Sequence, residues 1–283
     1  MKKEKYILII GASQGLGYEL ANNLNKQKKN LILCARNLKN IKIFNKTKTK
    51  TKNEIIKFKL DVSKENNIKK LVDFLNLKKI SLNVIINCAA QIGEAGSITE
   101  IDSKKWDKCI KTNLYGFYYL SKYFIPLLIK NKNSLFINFS GGGGTSAQPY
   151  LDSYSASKAA IIRLTENLSL EFKKYNLCIC AISPGGMNTK IFWDFANQGK
   201  LKLRSNLWNE VKKRKKNGGS DINKPINLIN YLINERNRMI FNGRVISAIH
   251  DNWSDIKKNQ YKINKTETFF LRRIDSTNKN FFK

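Results

Sequence analysis

The sequence predicts an α/β fold in which one doubly wound parallel sheet lies between two helical layers, three layers in all, within a single domain. Two observations predict it. Short apolar runs recur along the 283 residues, with helix-like segments between them. Runs such as VIIN, LFINF and CICAIS are also continuously apolar, which is typical of strands covered on both faces. Alternation of this kind predicts parallel strands joined by right-handed crossovers.

Seven apolar runs are the predicted strands. They are Tyr6–Ile10, Asn30–Cys34, Ile55–Leu60, Asn83–Asn87, Ser134–Phe139, Cys178–Ser183 and the shorter Arg244–Ala248. The predicted helices are Gly17–Lys26, Lys64–Leu75, Ser103–Lys130 and Ser153–Lys174. Pro126 lies late in the third helix, so we expect it to kink that helix or to mark its end. These elements place the predicted domain at residues 1–250.

Three segments interrupt the alternation. Lys39–Lys52 is polar and rich in lysine and threonine, so we expect a solvated loop. Residues 190–220 are predicted to form an insertion or lid, and its stretch Gly199–Ser220 is expected to be mobile. Residues 251–283 follow the last strand candidate and are expected to form a C-terminal tail.

The chain is strongly basic, with 52 Lys and Arg against 21 Asp and Glu and a net charge of +31. Asparagine is abundant beside lysine throughout, and both have A/T-rich codons, so base composition explains the excess without a function. No zinc finger, RNP-like motif or confined basic helix occurs, and we therefore expect no specific nucleic-acid binding. The charge favours an anionic substrate or cofactor.

Cysteine and histidine usage narrows the chemistry. The five cysteines lie mostly in apolar runs, so we expect free thiols and no metal site. His250 is the single histidine, which excludes multi-histidine metal sites and disfavours a Ser-His-Asp hydrolase. No apolar run approaches the roughly 18 residues of a membrane span. The basic and then apolar N-terminus is interpreted as a first strand, so a cytoplasmic protein is expected.

A glycine-rich turn follows the first predicted strand. The stretch Gly11–Gly17, with the spacing G-x-x-x-G-x-G, leads directly into a helix. Glycines there let backbone N–H groups approach a diphosphate, whose charge the helix N-terminus stabilises. The strand–turn–helix context predicts dinucleotide binding on a Rossmann-like sheet.

The end of the second strand bears on the choice of dinucleotide. A site that prefers NAD usually places an acidic residue there to hold the ribose 2′-hydroxyl. This chain has Ala35 followed by Arg36, whose guanidinium suits a 2′-phosphate. NADP(H) is therefore the preferred cofactor, and NAD(H) remains the alternative.

Tyr154 and Lys158 form the sharpest motif, Y-x-x-x-K. Residues four apart share one face of a helix, so the ammonium group can lie beside the phenol. A nearby cation stabilises phenolate, and we therefore expect a lowered tyrosine pKa and a general acid/base.

Taken together, these motifs resemble the short-chain dehydrogenase/reductase family over roughly residues 5–190. Further matches are Asp61-Val62, Asn87 and Ala89 of an N-N-A-G-like stretch, Asn113 in KTNLYG, and Ser183–Thr189, which resembles P-G-x-x-x-T. The resemblance implies a catalytic set of Asn113, Ser140, Tyr154 and Lys158, with Asn113 holding a proton-relay water. It implies cofactor contacts from Gly11, Ser13, Gln14, Gly15, Leu16, Gly17, Arg36, Asp61, Val62, Asn87, Ala89, Tyr154, Lys158, Pro184, Gly185, Met187 and Thr189.

One departure concerns the serine that polarises the substrate carbonyl in this family, thirteen residues before the tyrosine. Gly141 occupies that position here, and Ser140 lies one residue earlier. A regular strand aims adjacent side chains at opposite faces, so Ser140 needs a local bulge to reach the site. Alternatively, backbone N–H groups of the run Gly141–Gly144 polarise the carbonyl, or the site is degenerate.

The sequence thus predicts an NADP(H)-dependent oxidoreductase that interconverts a carbonyl and a secondary alcohol. The resemblance implies a homodimer or homotetramer paired through the third and fourth helices. The S-G-G-G variant, the stretch from Gly243 and the late Leu271-Arg-Arg-Ile also resemble a subgroup linked to surface-carbohydrate metabolism. Aromatic residues of Ile191–Phe195 are expected either to form a lid or to pack in the core. The rival hypothesis is a catalytically degenerate nucleotide-binding regulatory or nucleic-acid-associated protein on the same fold.

Overall fold

A computed structural model describes residues 5–43, 53–256 and 258–273. Its strands are β1 Lys5–Ile10, β2 Asn30–Ala35, β3 Ile55–Lys59, β4 Ser81–Asn87, β5 Ser134–Phe139, β6 Leu177–Ser183 and β7 Val245–Ser247. Its α-helices are α1 Gly15–Lys26, α2 Glu65–Leu77, α3 Ser103–Ile110, α4 Gly116–Leu128, α5 Asp152–Glu171, α6 Lys190–Ala196, α7 Gly199–Asn217, α8 Asn223–Asn234 and α9 Gln260–Asn264. Every predicted strand and helix is present, with ends shifted by up to three residues.

The seven strands form one parallel sheet in the order β3-β2-β1-β4-β5-β6-β7. The chain starts in the middle, builds outward to β3, then returns to β4 and builds towards the other edge. This reversal between β1 and β4 makes the sheet doubly wound and confirms the Rossmann-like prediction. Ligands of such sheets bind in the crevice outside the carboxyl ends of the strands at the point of reversal.

Helices cover both faces of the sheet, because the strand side chains are apolar on both. In β1, Ile7 and Ile9 belong to a core cluster that includes residues of α1 and α8, whereas Leu8 and Ile10 belong to a second cluster with residues of α2 and α4. All four side chains are at most 5% exposed. The three predicted layers follow from this two-sided burial.

The stretch predicted to be an irregular, mobile insertion is mostly helix α7. Leu203, Leu207 and Val211 recur at intervals of four and are buried against residues of α6, which gives the segment an apolar face. Arg204 has a φ of +55°, so α7 is two helical pieces joined at a kink. In the loop predicted at 39–52, residues 44–52 lie outside the described residues.

Glu94, in the long connection after β4, ties two helices together. Its carboxylate accepts hydrogen bonds from the backbone N–H of Asp102 at 3.0 Å and from Nζ of Lys105 at 2.9 Å, and it pairs with Lys202. These donors lower the pKa of Glu94 to about 2. The carboxylate thereby joins the start of α3 to α7.

The predicted third helix is interrupted by a π-helical turn, Lys111–Tyr115, between α3 and α4. Such turns occur frequently at functional sites, and this one carries Asn113. Pro126 lies in the last turn of α4, two residues before its end. Among the described residues, no helix is long and apolar enough to cross a membrane.

The described residues beyond 250 pack against the body of the protein. Ile256 and Ile263 are buried in the main core cluster. The backbone N–H of Val245 in β7 donates to the carbonyl of Phe269 at 2.9 Å. Arg272 pairs with the buried carboxylate of Glu166 on α5 at 2.6 Å. These contacts attach the segment to the edge of the sheet and to α5.

Candidate active site

A cavity of about 810 Å³ opens at the carboxyl end of the sheet. Its wall combines the glycine turn after β1, the ends of β2, β4, β5 and β6, and side chains from α5, α6 and α7. Most of the site residues predicted from the sequence line this cavity. They are Gly11, Ser13, Gln14, Gly15, Leu16, Gly17, Arg36, Asp61, Val62, Ala89, Ser140, Tyr154, Lys158, Pro184, Gly185, Met187 and Thr189.

The glycine turn has the geometry of a phosphate cradle. Gly11 adopts a φ of +81°, and a Cβ on Gly17 would lie only 2.4 Å from the carbonyl oxygen of Gly11. The turn is therefore closed to any larger residue at position 17. Helix α1 begins at Gly15 without a side-chain cap or an acidic residue in its first turn. Its positive end is thus left to an external anion, and a dinucleotide diphosphate fits these residues.

Arg36 and Asp61 mark the part of the wall formed by β2 and β3. Arg36 is exposed and, within the described ranges, its guanidinium has no hydrogen-bond or ion-pair partner. Asp61 accepts hydrogen bonds from the N–H of Ser63 at 3.0 Å and from its hydroxyl at 2.7 Å, which fix the carboxylate at the wall. These residues can hold an adenosine ribose and its substituents.

Asn87 does not line the cavity. Its amide donates to Oδ1 of Asn138 at 3.1 Å, and its own Oδ1 accepts from the N–H of Ala89 at 3.3 Å. Asn87 is therefore buried behind the wall and orients Ala89, which does line the cavity. Direct contact with the cofactor, as predicted for Asn87, has no support in this placement.

The motif after β6 meets the glycine turn. A Cβ on Gly15 would lie 3.3 Å from Cβ of Thr189, so the two loops approach each other within side-chain distance. Pro184, Gly185 and Met187 line the cavity beside Thr189. The glycine turn and the stretch after β6 thus line the same cavity.

Tyr154 and Lys158 lie together on α5, as predicted. Nζ of Lys158 is 5.5 Å from the centroid of the Tyr154 ring and donates to the carbonyl oxygen of Phe139 at 2.8 Å. Burial lowers the pKa of Lys158 to about 8. Burial also raises the pKa of Tyr154 to about 12, with a smaller contribution from the Cys109 thiol. The predicted lowering of the tyrosine pKa is therefore not found, because burial removes the hydration that a phenolate needs.

Asn113 connects helix α5, which carries Tyr154, to the loop after β4. Its amide donates to the carbonyl of Gln91 and to Oγ of Ser157, both at 2.9 Å, and its Oδ1 accepts from the N–H of Gln91 at 2.8 Å. Oγ of Ser157 in turn donates to the carbonyl of Tyr154 at 2.7 Å. Asn113 is 1% exposed and lies behind the cavity wall, where it holds the loop after β4 against helix α5.

The bulge that would turn Ser140 towards Tyr154 is not found. β5 and β6 pair in unbroken register, and the N–H of Ser140 continues the ladder by donating to Ile182 at 2.9 Å. The Ser140 hydroxyl donates to the carbonyl of Gly141 at 3.4 Å. Gly141 is the residue that faces Tyr154, since a Cβ there would lie 2.8 Å from the tyrosine hydroxyl.

The glycine run after β5 presents backbone donors instead. Gly141 and Gly142 line the cavity, and in the described part of the chain their N–H groups find no acceptor. The N–H of Gly144, by contrast, donates to the carbonyl of Gly141 at 2.8 Å. The first two amides are therefore available to a ligand.

Several cavity residues are not predicted from the sequence. They are Gln91, Gln148, Glu210, Arg214 and the C-terminal Phe269–Leu271. The signal for Arg214 is present, because it continues the helical face of Leu207 and Val211. Of the aromatic cluster predicted as lid or core, Phe192 and Phe195 pack in the core against α7 and also line the cavity, and a lid role stays a prediction. Trp193 is 40% exposed.

The sequence predicts free cysteine thiols and no metal site. All five cysteines are free, and Cys88 lines the cavity with its pKa raised to about 12 by burial. It is therefore protonated at neutral pH. The part of the chain that is described holds no group of three potential metal ligands among His, Cys, Asp and Glu.

Comparison with known proteins agrees with the site. The family model described as short chain dehydrogenase matches residues 5–199. An NADPH-dependent pterin aldehyde reductase of Arabidopsis thaliana is 28% identical over 203 residues, 71% of this chain and 83% of the relative. An uncharacterized oxidoreductase of Bacillus subtilis is 28% identical over 67% of this chain and 69% of its own.

Solved structures share the fold. A short chain dehydrogenase/reductase from Saccharomyces cerevisiae superposes with a TM-score of 0.76 at 20% identity, over 88% of this chain and 97% of that one. The aldohexose dehydrogenase of Thermoplasma acidophilum gives 0.69 at 22% identity, over 87% and 92%. The family match spans well over half of the chain. The chain therefore belongs to the short-chain dehydrogenase family and is an oxidoreductase that uses a nicotinamide dinucleotide.

Proposed function

We propose that the protein transfers hydride reversibly between NADP(H) and the carbonyl or secondary alcohol of a small molecule. The observation that carries this proposal is the shared cavity. Tyr154 and Lys158 line the same cavity as the phosphate-binding turn Gly11–Gly17. The nicotinamide supplies or accepts the hydride, and the residues of the chain position the reactants and move the proton.

Arg36 supports the preference for NADP(H) over NAD(H). Its unpaired guanidinium gains a charge-assisted partner when a 2′-phosphate lies beside it, whereas a ribose hydroxyl offers much less. The Arabidopsis relative is named as NADPH-dependent. Among structures of the same fold, one is of an enzyme with NADP bound and another is complexed with NADH, so the fold alone does not decide the preference.

Tyr154 is the proton donor for carbonyl reduction. With a pKa of about 12 its phenol is protonated at neutral pH, which is the form that can give a proton to the developing alkoxide. Lys158 holds a buried ammonium beside the ring and is suited to the cofactor ribose. Asn113 links helix α5 to the loop after β4 through its hydrogen bond to Ser157. We propose that a proton-relay water is held at this position.

The substrate oxygen is polarised by backbone amides rather than by a serine hydroxyl. Gly141 leaves the space beside the Tyr154 hydroxyl free, and the N–H groups of Gly141 and Gly142 border that space. Fixed donors at a developing negative charge stabilise the transition state without reorganisation. Ser140, whose hydroxyl engages a neighbouring carbonyl, stays outside this role in the proposal.

We further propose a homodimer or homotetramer that pairs through α4 and α5, and a cytoplasmic location. Tyr118 on α4 is 44% exposed and Leu170 on α5 is 66% exposed, which is apolar surface that a second copy can cover. Light scattering that gives the mass of a single chain would contradict the pairing. A role in surface-carbohydrate metabolism stays a prediction from the sequence.

The decisive experiment is an NADPH oxidation assay with a panel of aldehydes and ketones. We expect turnover of at least one member, and we expect Tyr154→Phe to lower kcat by about a hundredfold to ten-thousandfold because the general acid is lost. NADPH binding, followed by fluorescence, should stay within about threefold in that variant. A Tyr154→Phe protein of full activity, or no turnover with any carbonyl or alcohol, would overturn the proposal.

A further inference from the structure

Arg214 lies on the face of α7 that points into the cavity. Leu203, Leu207 and Val211 form the buried side of this helix, and Arg214 follows Val211 by three residues, which keeps it on the same side. The neighbouring lysine at position 213 is exposed. Arg214 is thus set apart from the basic run that contains it.

The guanidinium of Arg214 packs against two neighbouring residues. Its Cζ lies 4.6 Å from the centroid of the Phe192 ring, a stacked arrangement. A Cβ on Gly186 would lie 2.5 Å from Nη2, so the guanidinium packs directly against the backbone at this glycine. Gly186 follows Pro184 and Gly185 at the cavity wall, within the stretch Ser183–Thr189 that resembles P-G-x-x-x-T.

The guanidinium of Arg214 has no anionic partner among the described residues. Within the described ranges, Arg214 makes neither a hydrogen bond nor an ion pair, and Glu210, one turn earlier on α7, does not reach it within ion-pair distance. Burial lowers the pKa of Arg214, and the charge of Glu210 acts in the opposite direction. A partly buried guanidinium without a partner is costly, so the cavity is suited to an anion at this point.

Two other buried arginines show what a structural role looks like in this protein. Arg238 donates to the backbone carbonyls of Glu235 and Ile233. Arg244 donates to those of Ile240 and Ile263. Both arginines donate to backbone oxygens, although Nη1 of Arg238 has no partner, and neither lines the cavity. Arg214 lines the cavity and lacks such acceptors.

We infer that Arg214 binds a carboxylate carried by the substrate, so that the protein acts on carbonyl or hydroxy acids. The inference rests on the proposed hydride transfer. The planar fork of a guanidinium matches a carboxylate through two parallel hydrogen bonds. The guanidinium of Arg214 lies over the ring of Phe192, which limits its movement. The cofactor diphosphate is the other anion in reach of such a cavity, and the experiment separates the two.

The test compares levulinate, a ketone with a carboxylate, with its methyl ester, in the wild type and in Arg214→Met. We expect kcat/KM to favour levulinate by about tenfold to a hundredfold in the wild type, the range of a charged hydrogen bond. Arg214→Met should lose this preference and Arg214→Lys should keep part of it. Lys213→Met, which removes one charge from the same helix, should keep it fully.

Two binding measurements complete the test. Titration calorimetry with levulinate and the NADP⁺-loaded protein should show binding that Arg214→Met abolishes and Lys213→Met retains. NADPH affinity should be equal in all variants within about twofold. The inference is wrong if Arg214→Met keeps the acid preference, or if it weakens NADPH binding tenfold, since the arginine then holds the diphosphate. If neither ketone is reduced but levulinate binding depends on Arg214, hydride transfer fails while the carboxylate site stands; absence of levulinate binding to the wild type overturns the site.

Discussion

The two ends of the cavity are built in different ways. The end that we propose for the cofactor is formed by the backbone of the turn Gly11–Gly17. A Cβ at position 17 would lie only 2.4 Å from the carbonyl oxygen of Gly11, so no side chain fits there. The end that we propose for the substrate is formed by side chains from distant segments, among them Tyr154, Arg214 and Leu271. A backbone cradle demands particular residues at fixed spacing, whereas a side-chain wall can be assembled from many sequences. The first end therefore leaves a motif in the sequence and the second leaves almost none.

The glycine run after β5 offers the sharpest test of this contrast, because it places backbone donors at the substrate end. Gly142 begins a 3₁₀ turn and Gly141 before it is extended, so proline is sterically acceptable at position 142 and removes one N–H. We expect Gly142→Pro to lower kcat about a hundredfold, as loss of one oxyanion donor does. Steady-state kinetics with the best substrate of the carbonyl panel measure this effect.

Gly142→Ala is the matched control, since it keeps the N–H and its Cβ meets only the flexible side chain of Gln148 at 3.1 Å. It should stay within about threefold of the wild type, and so should Ser140→Ala. Equal rates for the proline and alanine variants would show that the amide of Gly142 is no donor. A severe Ser140→Ala phenotype would restore the serine to the mechanism.

Arg36 tests whether the cofactor end also uses a side chain for discrimination. We expect the wild type to bind NADPH more tightly than NADH by about tenfold to a hundredfold, the range of a charge-assisted phosphate contact. Arg36→Ala should remove most of that difference and leave NADH affinity nearly unchanged. Fluorescence titration of both cofactors measures it. Equal affinities in the unmodified protein would refute the assignment of Arg36.

The smallest expected effect concerns Lys158, which lies where the two ends meet. Below about pH 8 the lysine is charged in both the folded and the unfolded chain, so its burial destabilises the fold fully. Between about pH 8 and the ordinary lysine pKa of 10.5 the folded state loses its proton first, and stability rises with pH. Lys158→Met should therefore raise Tm at pH 7 by on the order of 5 °C, a gain that fades towards pH 10.5.

Thermal unfolding of Lys158→Met and the wild type across that pH range measures the effect, with Lys213→Met as the exposed control. The slope with pH is the informative quantity, because loss of the bond to Phe139 shifts all values together. A gain that grows as the pH rises would contradict the cost of burial.

Most of the fold could be predicted from the sequence because most of the strands are largely apolar runs bounded by polar residues. The Tyr154–Lys158 pair could be placed because helix geometry fixes residues four apart. Their pKa values could not, since burial depends on the whole chain and reverses the sign expected from the neighbouring charge. Asn87 and Asn113 matched family positions, yet only the three-dimensional packing shows that both lie behind the wall.

The basic composition of α7 obscures its helical periodicity in the sequence. The interval of four between Leu203, Leu207 and Val211 indicates a helix, but the basic run after them suggests a solvated insertion. Phe269–Leu271 had no local signal at all, because their contact with the cavity comes from the segment folding back onto β7 and α5. Local patterns predict local structure, and these contacts are not local.

The position of Arg214 along the chain has an evolutionary consequence. The match to the family model ends at residue 199, so the arginine lies outside the matched part of the chain. Its helix rests on the rest of the protein through three apolar side chains and the pairing of Lys202 with Glu94. On the function proposed above, substitutions on the cavity face of α7 would change the substrate while Tyr154 and Lys158 stay the same. Relatives that keep Tyr154 and Lys158 but differ at this helix should diverge first in what they reduce.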